Sequence, residues 1–138
     1  MDTIFTKIIE REIPADIVYE DDDILAFLDI NPVNKGHTLV IPKKAFVNIF
    51  DAKEKIFGKM AIVAAKLGTA IKEATGADGI NLIMNNGEAA GQEVPHAHIH
   101  IVPRFEGDES FKTPKHVECT KEEFQTIATQ IQVALESD

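Results

Sequence analysis

Three histidines, His96, His98 and His100, alternate with Ala97, Ile99 and Ile101 inside the segment Pro95–Phe105. Successive side chains of a β-strand point to opposite faces. The spacing therefore predicts a strand with three imidazoles on one face and small or branched apolar residues pinning the other into a core. Five histidines in 138 residues give roughly 0.006 chance occurrences of this pattern when template matches are counted. Imidazole changes charge near neutral pH and acts as base, nucleophile or metal ligand. A row of three reads as an active site, set against the plainer reading of isolated surface or core histidines. Metal binding is the chemical rival. Residues i and i+4 of a strand lie about 13 Å apart at their Cα atoms, so three rings on one strand must lean sharply together to share one ion. Two of them with His37 make an alternative ligand set.

The elements that must position these rings follow from periodicity. Ile4, Phe5, Ile8 and Ile9 suit a short amphipathic helix over 4–11, which Pro14 stops. Ile17–Tyr19 and Ile24–Ile30 look like strands around the acidic turn Glu20–Asp23, and Thr38–Ile41 is a buried strand closed by Pro42. From Asp51 to Thr75 an apolar stripe (Ile56, Met60, Val63, Leu67, Ile71) predicts a long helix, with Gly76 as its C-cap. Ile80–Met84 is a further strand, joined through the loop Asn85–Glu93 to the histidine strand as a hairpin. After a polar loop, 106–118, Thr120 and Glu123 match a capping box ahead of Phe124, Ile127, Ile131 and Leu135, a second amphipathic helix. About five antiparallel strands, one long helix and a C-terminal helix make an α+β domain. The whole of 1–138 reads as a single domain, with its core at about 4–105 and the C-terminal loop and helix at 106–138.

Composition narrows the partners. A net charge of −9 and a pI near 5.0 argue against nucleic acid, whose phosphates need clustered Lys and Arg. The single Cys119 cannot form an internal disulfide. The N-terminus lacks an apolar signal core and no apolar run approaches membrane-spanning length. The expectation is a cytoplasmic protein without a membrane partner.

The triad with its flanks resembles the histidine triad superfamily. The likeness extends through Phe27-Leu28-Asp29-Ile30, Gly36-His37, Leu39-Val40-Ile41-Pro42-Lys43 and Gly91-Gln92, covering about residues 4–105. The length matches the family's compact nucleotide hydrolases. What the resemblance implies is a fold that dimerises into one continuous sheet and an enzyme that cleaves a nucleoside monophosphate conjugate, a phosphoramidate or dinucleoside polyphosphate, at the α-phosphorus. The substrate it implies is a purine nucleotide. His98 would attack and form a covalent nucleotidyl-histidine that water hydrolyses, its other nitrogen held by the backbone carbonyl of His96. A neutral imidazole so held is nucleophilic without prior deprotonation. His100 and His37 would contact phosphate oxygens or orient the central ring.

By the same resemblance Asp29 accepts ribose hydroxyls, while Ile4, Phe5, Ile8, Phe27 and Ile30 sandwich the base. Asn85 and Gln92 would hydrogen-bond the phosphate or leaving group. Glu93 stands where several relatives carry Ser or Thr; beside a phosphate its carboxyl should be harder to ionise and could donate a proton. The family's Cys-x-x-Cys zinc positions look like Thr3 and Thr6, so that metal site is expected to be absent, and no cofactor is expected. Lys43, Lys44 and Arg104 could steer anions, although solvation accounts for each, and His116 carries no motif. Two other functions stay open: a nucleotide-binding regulatory module with little turnover, and a His-ligated metal hydrolase.

Overall fold

The computed structural model describes residues 2–110 and 114–137. Helix α1 spans Ile4–Ile9. Its start is set by a reciprocal cap: Thr3 Oγ1 accepts from the backbone N–H of Phe5 and Thr6, and Thr6 Oγ1 accepts from that of Thr3. It ends before the predicted residue 11, because Arg11 adopts a left-handed φ of 65° and turns the chain ahead of Pro14.

Strands β1 (Ile17–Glu20), β2 (Ile24–Leu28), β3 (Thr38–Pro42), β4 (Gly79–Ile83) and β5 (Ile99–Arg104) form one antiparallel sheet in the order β1-β2-β3-β5-β4. Helix α2, Glu54–Thr75, packs on β3, β4 and β5. Gly76, at a φ of 74°, closes α2 by donating its N–H to the Lys72 carbonyl.

Pleating divides the central strands between two cores. Ile24, Ala26, Val40, Ile99 and Ile101 pack with Met60, Val63 and Ala64 of α2. Leu25, Phe27, Leu39 and Ile41 face the other way and pack with Phe5 and Ile8 of α1. The sheet is thus α+β with helices on both faces, and the α1 side is only partly covered. That gap is where the histidines lie. Strand β2 stops at Leu28, two residues short of the predicted end. The Asp29 N–H instead bonds the His37 carbonyl at 2.9 Å, which brings both residues to the same end of the sheet.

Helix α3, Lys121–Glu136, forms behind the predicted capping box of Thr120 and Glu123. Its apolar stripe remains bare, with Phe124 at 61% and Leu135 at 70% exposed. No helix among the described residues is long and apolar enough to cross a membrane.

Candidate active site

The triad straddles a strand end. The ladder pairs Thr38 with Ile101, Leu39 with His100 and Val40 with Ile99, and stops there. Farther back, the Ala97 N–H goes to the Phe46 carbonyl at 2.7 Å and the His96 ring goes to the Pro42 carbonyl at 2.8 Å. The predicted strand therefore begins at Ile99, and the three imidazoles do not form one open row. His96 is fully buried, His98 nearly so, and His100 is partly exposed.

Hydrogen-bond partners fix each tautomer. A carbonyl only accepts, so His96 Nε2 and His98 Nδ1 both carry protons. The His98 contact is to the His96 carbonyl, at 2.7 Å. His98 Nε2 is left with its lone pair. The Val33 N–H donates to His37 Nδ1 at 3.1 Å, which puts the His37 proton on Nε2. That nitrogen meets His100 Nδ1 at 2.9 Å. His100 therefore accepts on Nδ1 and keeps an N–H on Nε2. The result is a lone pair on His98 beside a donor on His100.

Burial keeps this cluster uncharged. Desolvation lowers the pKa of His37, His96 and His98. For His37 it outweighs Asp29, whose Oδ2 lies 3.6 Å away. The His100 pKa falls from 6.5 to about 4, through burial first and then through its neighbours His98 and His37. Phe5 stacks edge-on against His98 at 5.0 Å between ring centres, and also touches His96 and Phe27. These contacts fix the plane of the His98 ring.

A cleft of about 390 Å³ opens onto His98 and His100. Ile4, Phe5 and Ile8 of α1 form one wall with Phe27, while Asp29, Ile30, Asn85 and Glu93 border it. One Asp29 oxygen accepts from the Asn31 N–H at 2.8 Å, which orients the carboxylate. The cleft is mostly apolar with a few convergent polar groups, the usual make-up of a small-molecule site.

The family model of the HIT domain matches residues 10–107. The chain belongs to the HIT domain family. Among its HIT relatives, the purine nucleoside phosphoramidase of Escherichia coli K12 is 46% identical over 104 residues, covering 73% of this chain and 86% of that protein. Adenylylsulfatase HINT3 of Arabidopsis thaliana is 44% identical over 107 residues, covering 78% and 54%. A solved HIT family structure from Bacillus subtilis superposes with a TM-score of 0.88 at 38% identity, covering 96% of each chain.

Within this HIT fold, the residues given a catalytic or substrate-binding role from sequence all line the cleft except His96, His37 and Gln92. His96 and His37 lie behind it and hold the other two rings. Gln92 calls for a revision. Its Oε1 accepts from Asn48 Nδ2 at 3.1 Å and from the Gly87 N–H at 2.9 Å, while its Nε2 donates to the Val47 and Val94 carbonyls at 2.7 and 3.0 Å. All of its donor protons are engaged, so Gln92 organises the loop and offers no free donor to a phosphate. Phe5 is likewise only 6% exposed, and packs on the His96 and His98 rings. Sequence reasoning missed Asn48, a turn cap buried against Gln92, and Leu39, on the cleft. Alternation along β3 could have found Leu39, and Asn48 with Asp51 three residues on is a local capping pattern; only its contact with Gln92 is distant.

Asp29, His37 and His100 offer three ligand atoms within 4.8 Å of one another. An ion there would have to displace the proton that His37 shares with His100. At the family's Cys-x-x-Cys positions, the hydroxyls of Thr3 and Thr6 are spent on capping α1. Lys43 pairs with Glu20, and Arg104 with Asp108 and Asn81, so neither is aimed at the cleft.

Proposed function

We propose that this chain hydrolyses a purine nucleoside monophosphate conjugate at its α-phosphorus through a covalent intermediate on His98. The observation that carries the reading is the 2.7 Å hydrogen bond from His98 Nδ1 to the His96 carbonyl. It leaves an unprotonated Nε2 on a nearly buried ring that lines the cleft, a nucleophile that needs no separate base. The names of the phosphoramidase and adenylylsulfatase relatives support the same reaction class.

In the first step His98 Nε2 forms a bond to phosphorus and the bond to the leaving group breaks. The leaving atom departs with a proton drawn from solvent. In the second step water attacks, the phosphorus–nitrogen bond breaks, and a proton returns to solvent with His98 neutral again. The His100 Nε2–H is the donor for a phosphoryl oxygen, and its fixed orientation costs no reorganisation as charge builds. Asp29 accepts ribose hydroxyls, and Ile4, Ile8, Phe27 and Ile30 hold the base. Asn85, which lines the cleft, hydrogen-bonds the phosphate or the leaving group.

The same reading makes the protein a cytoplasmic homodimer of one HIT domain per chain. Strand β4 is a sheet edge with Leu82 half exposed, and pairing two such edges would extend the sheet through the dimer. The test is a turnover screen of adenosine and guanosine phosphoramidates, adenylyl sulfate and dinucleoside polyphosphates. Wild-type protein should release the nucleoside monophosphate from at least one class, and His98→Gly should bind that nucleotide without releasing it. Near wild-type turnover by His98→Gly would remove the nucleophile assignment.

A further inference from the structure

The leaving group, left open above, can be approached through the charges that face it. Of the described residues lining the cleft with His98, those with a formal charge are the carboxylates Asp29 and Glu93. The imidazoles add no cation, because burial lowers the pKa of His98 and holds that of His100 at about 4. Four cations outside the cleft lining are paired with acids: Arg11 and Lys43 with Glu20, Lys59 with Asp23, and Arg104 with Asp108.

The two carboxylates reach the cleft from different segments of the chain. Asp29 follows β2 and sits with His37 and His100, on the side where the account above puts the ribose. Glu93 lies in the loop that leads into the triad, lines the cleft and is exposed. Its position is set from within, since the neighbouring Gln92 is buried and ties that loop to Val47, Asn48, Gly87 and Val94. A substrate must already bring one phosphate charge into this site. The His100 Nε2–H can answer one anion, but no cation among the described lining residues answers a second.

We propose that Glu93 selects a cationic leaving group: the preferred substrate is a nucleoside monophosphate joined to an amine that carries a second, positively charged nitrogen. Sulfate and polyphosphate leaving groups are disfavoured by the same carboxylate. The inference rests on the reaction proposed above for its catalytic meaning, and on the cleft charges alone for its binding meaning.

The experiment uses adenosine 5′-phosphoramidates of two amines of equal length, 1,3-diaminopropane and β-alanine, which present an ammonium or a carboxylate. An exposed ion pair and an exposed like-charge pair each change binding by a few-fold, so kcat/KM should favour the ammonium substrate by about tenfold at low salt. Glu93→Gln should bring that ratio close to one and Glu93→Lys should invert it. High salt should compress it in the wild type. The readout is a ratio within each enzyme, so a general loss of activity in a variant cancels. The same two side chains on uncleavable adenosine 5′-sulfamoyl analogues give a ratio of Kd values that decides the question even if neither phosphoramidate is turned over. A wild-type ratio near one, or a ratio that Glu93→Gln leaves unchanged in both assays, overturns the proposal.

Discussion

Protonating His100 should cost the fold stability, by an amount the structure specifies. In the folded chain its pKa is about 4, against 6.5 for an exposed imidazole, because burial and the adjacent His98 and His37 oppose a charge, with Asp29 opposing them weakly. The unfolded chain therefore binds the proton first. Stability rises with pH wherever the unfolded state holds more protons. The contribution of His100 is complete above pH 6.5 and drains away as pH falls toward 4. One pKa unit is worth about 1.4 kcal/mol, so between pH 7.5 and 4.5 the loss from this residue is about 2.5 kcal/mol. The assay is urea denaturation of wild type and His100→Gln at both pH values and one protein concentration. His37, His96 and His98 titrate in the same direction and remain in the variant, so they contribute to both curves. The wild type should lose about 2 to 3 kcal/mol more than the variant over this range. A parallel loss, or an NMR titration placing His100 near 6.5, would refute the claim that the cluster is buried neutral.

Two further outcomes test the framework around the rings. Gln92→Ala removes the four hydrogen bonds that tie the loop to Val47, Asn48, Gly87 and Val94. It should cost about 2–4 kcal/mol and raise amide exchange across 85–93, so unchanged exchange there would contradict it. Gly36 holds a φ of 98°, and a Cβ on it would lie 2.8 Å from Thr75 Cγ2. Gly36→Ala should therefore cost about 1–3 kcal/mol by thermal denaturation, and adding Thr75→Ser should recover the clash but not the backbone strain.

The parts of this fold that were legible in the sequence are those set by local rules. The stripe from Ile56 to Ile71, the Gly76 cap and the box of Thr120 and Glu123 each depend on residues a few positions apart. What escaped depends on distant partners. Alternation is identical at His96 and His100, yet only Ile99 onward finds a ladder, because Phe46 and Pro42 claim the groups before it. The family resemblance implied a phosphate contact for Gln92; the carbonyls of Val47 and Val94 that engage it have no sequence signature. Helix α3 was legible as a helix, but its period could not reveal that no described part of its own chain covers Phe124 or Leu135. Most residues that line the cleft were legible in the sequence, and their wiring was less so: the His37–His100 bond joins residues 63 positions apart.

The central claim is that His98 Nε2 attacks phosphorus, and stereochemistry at that atom tests it most directly. A substrate made chiral at the α-phosphorus with sulfur is hydrolysed in ¹⁸O-labelled water, and the configuration of the nucleoside monophosphorothioate product is read by ³¹P NMR. Each in-line displacement inverts phosphorus, so two steps through a nucleotidyl-His98 give net retention. Retention is the predicted result. Net inversion would mean a single direct attack by water, and would contradict the covalent role drawn from the His98–His96 hydrogen bond.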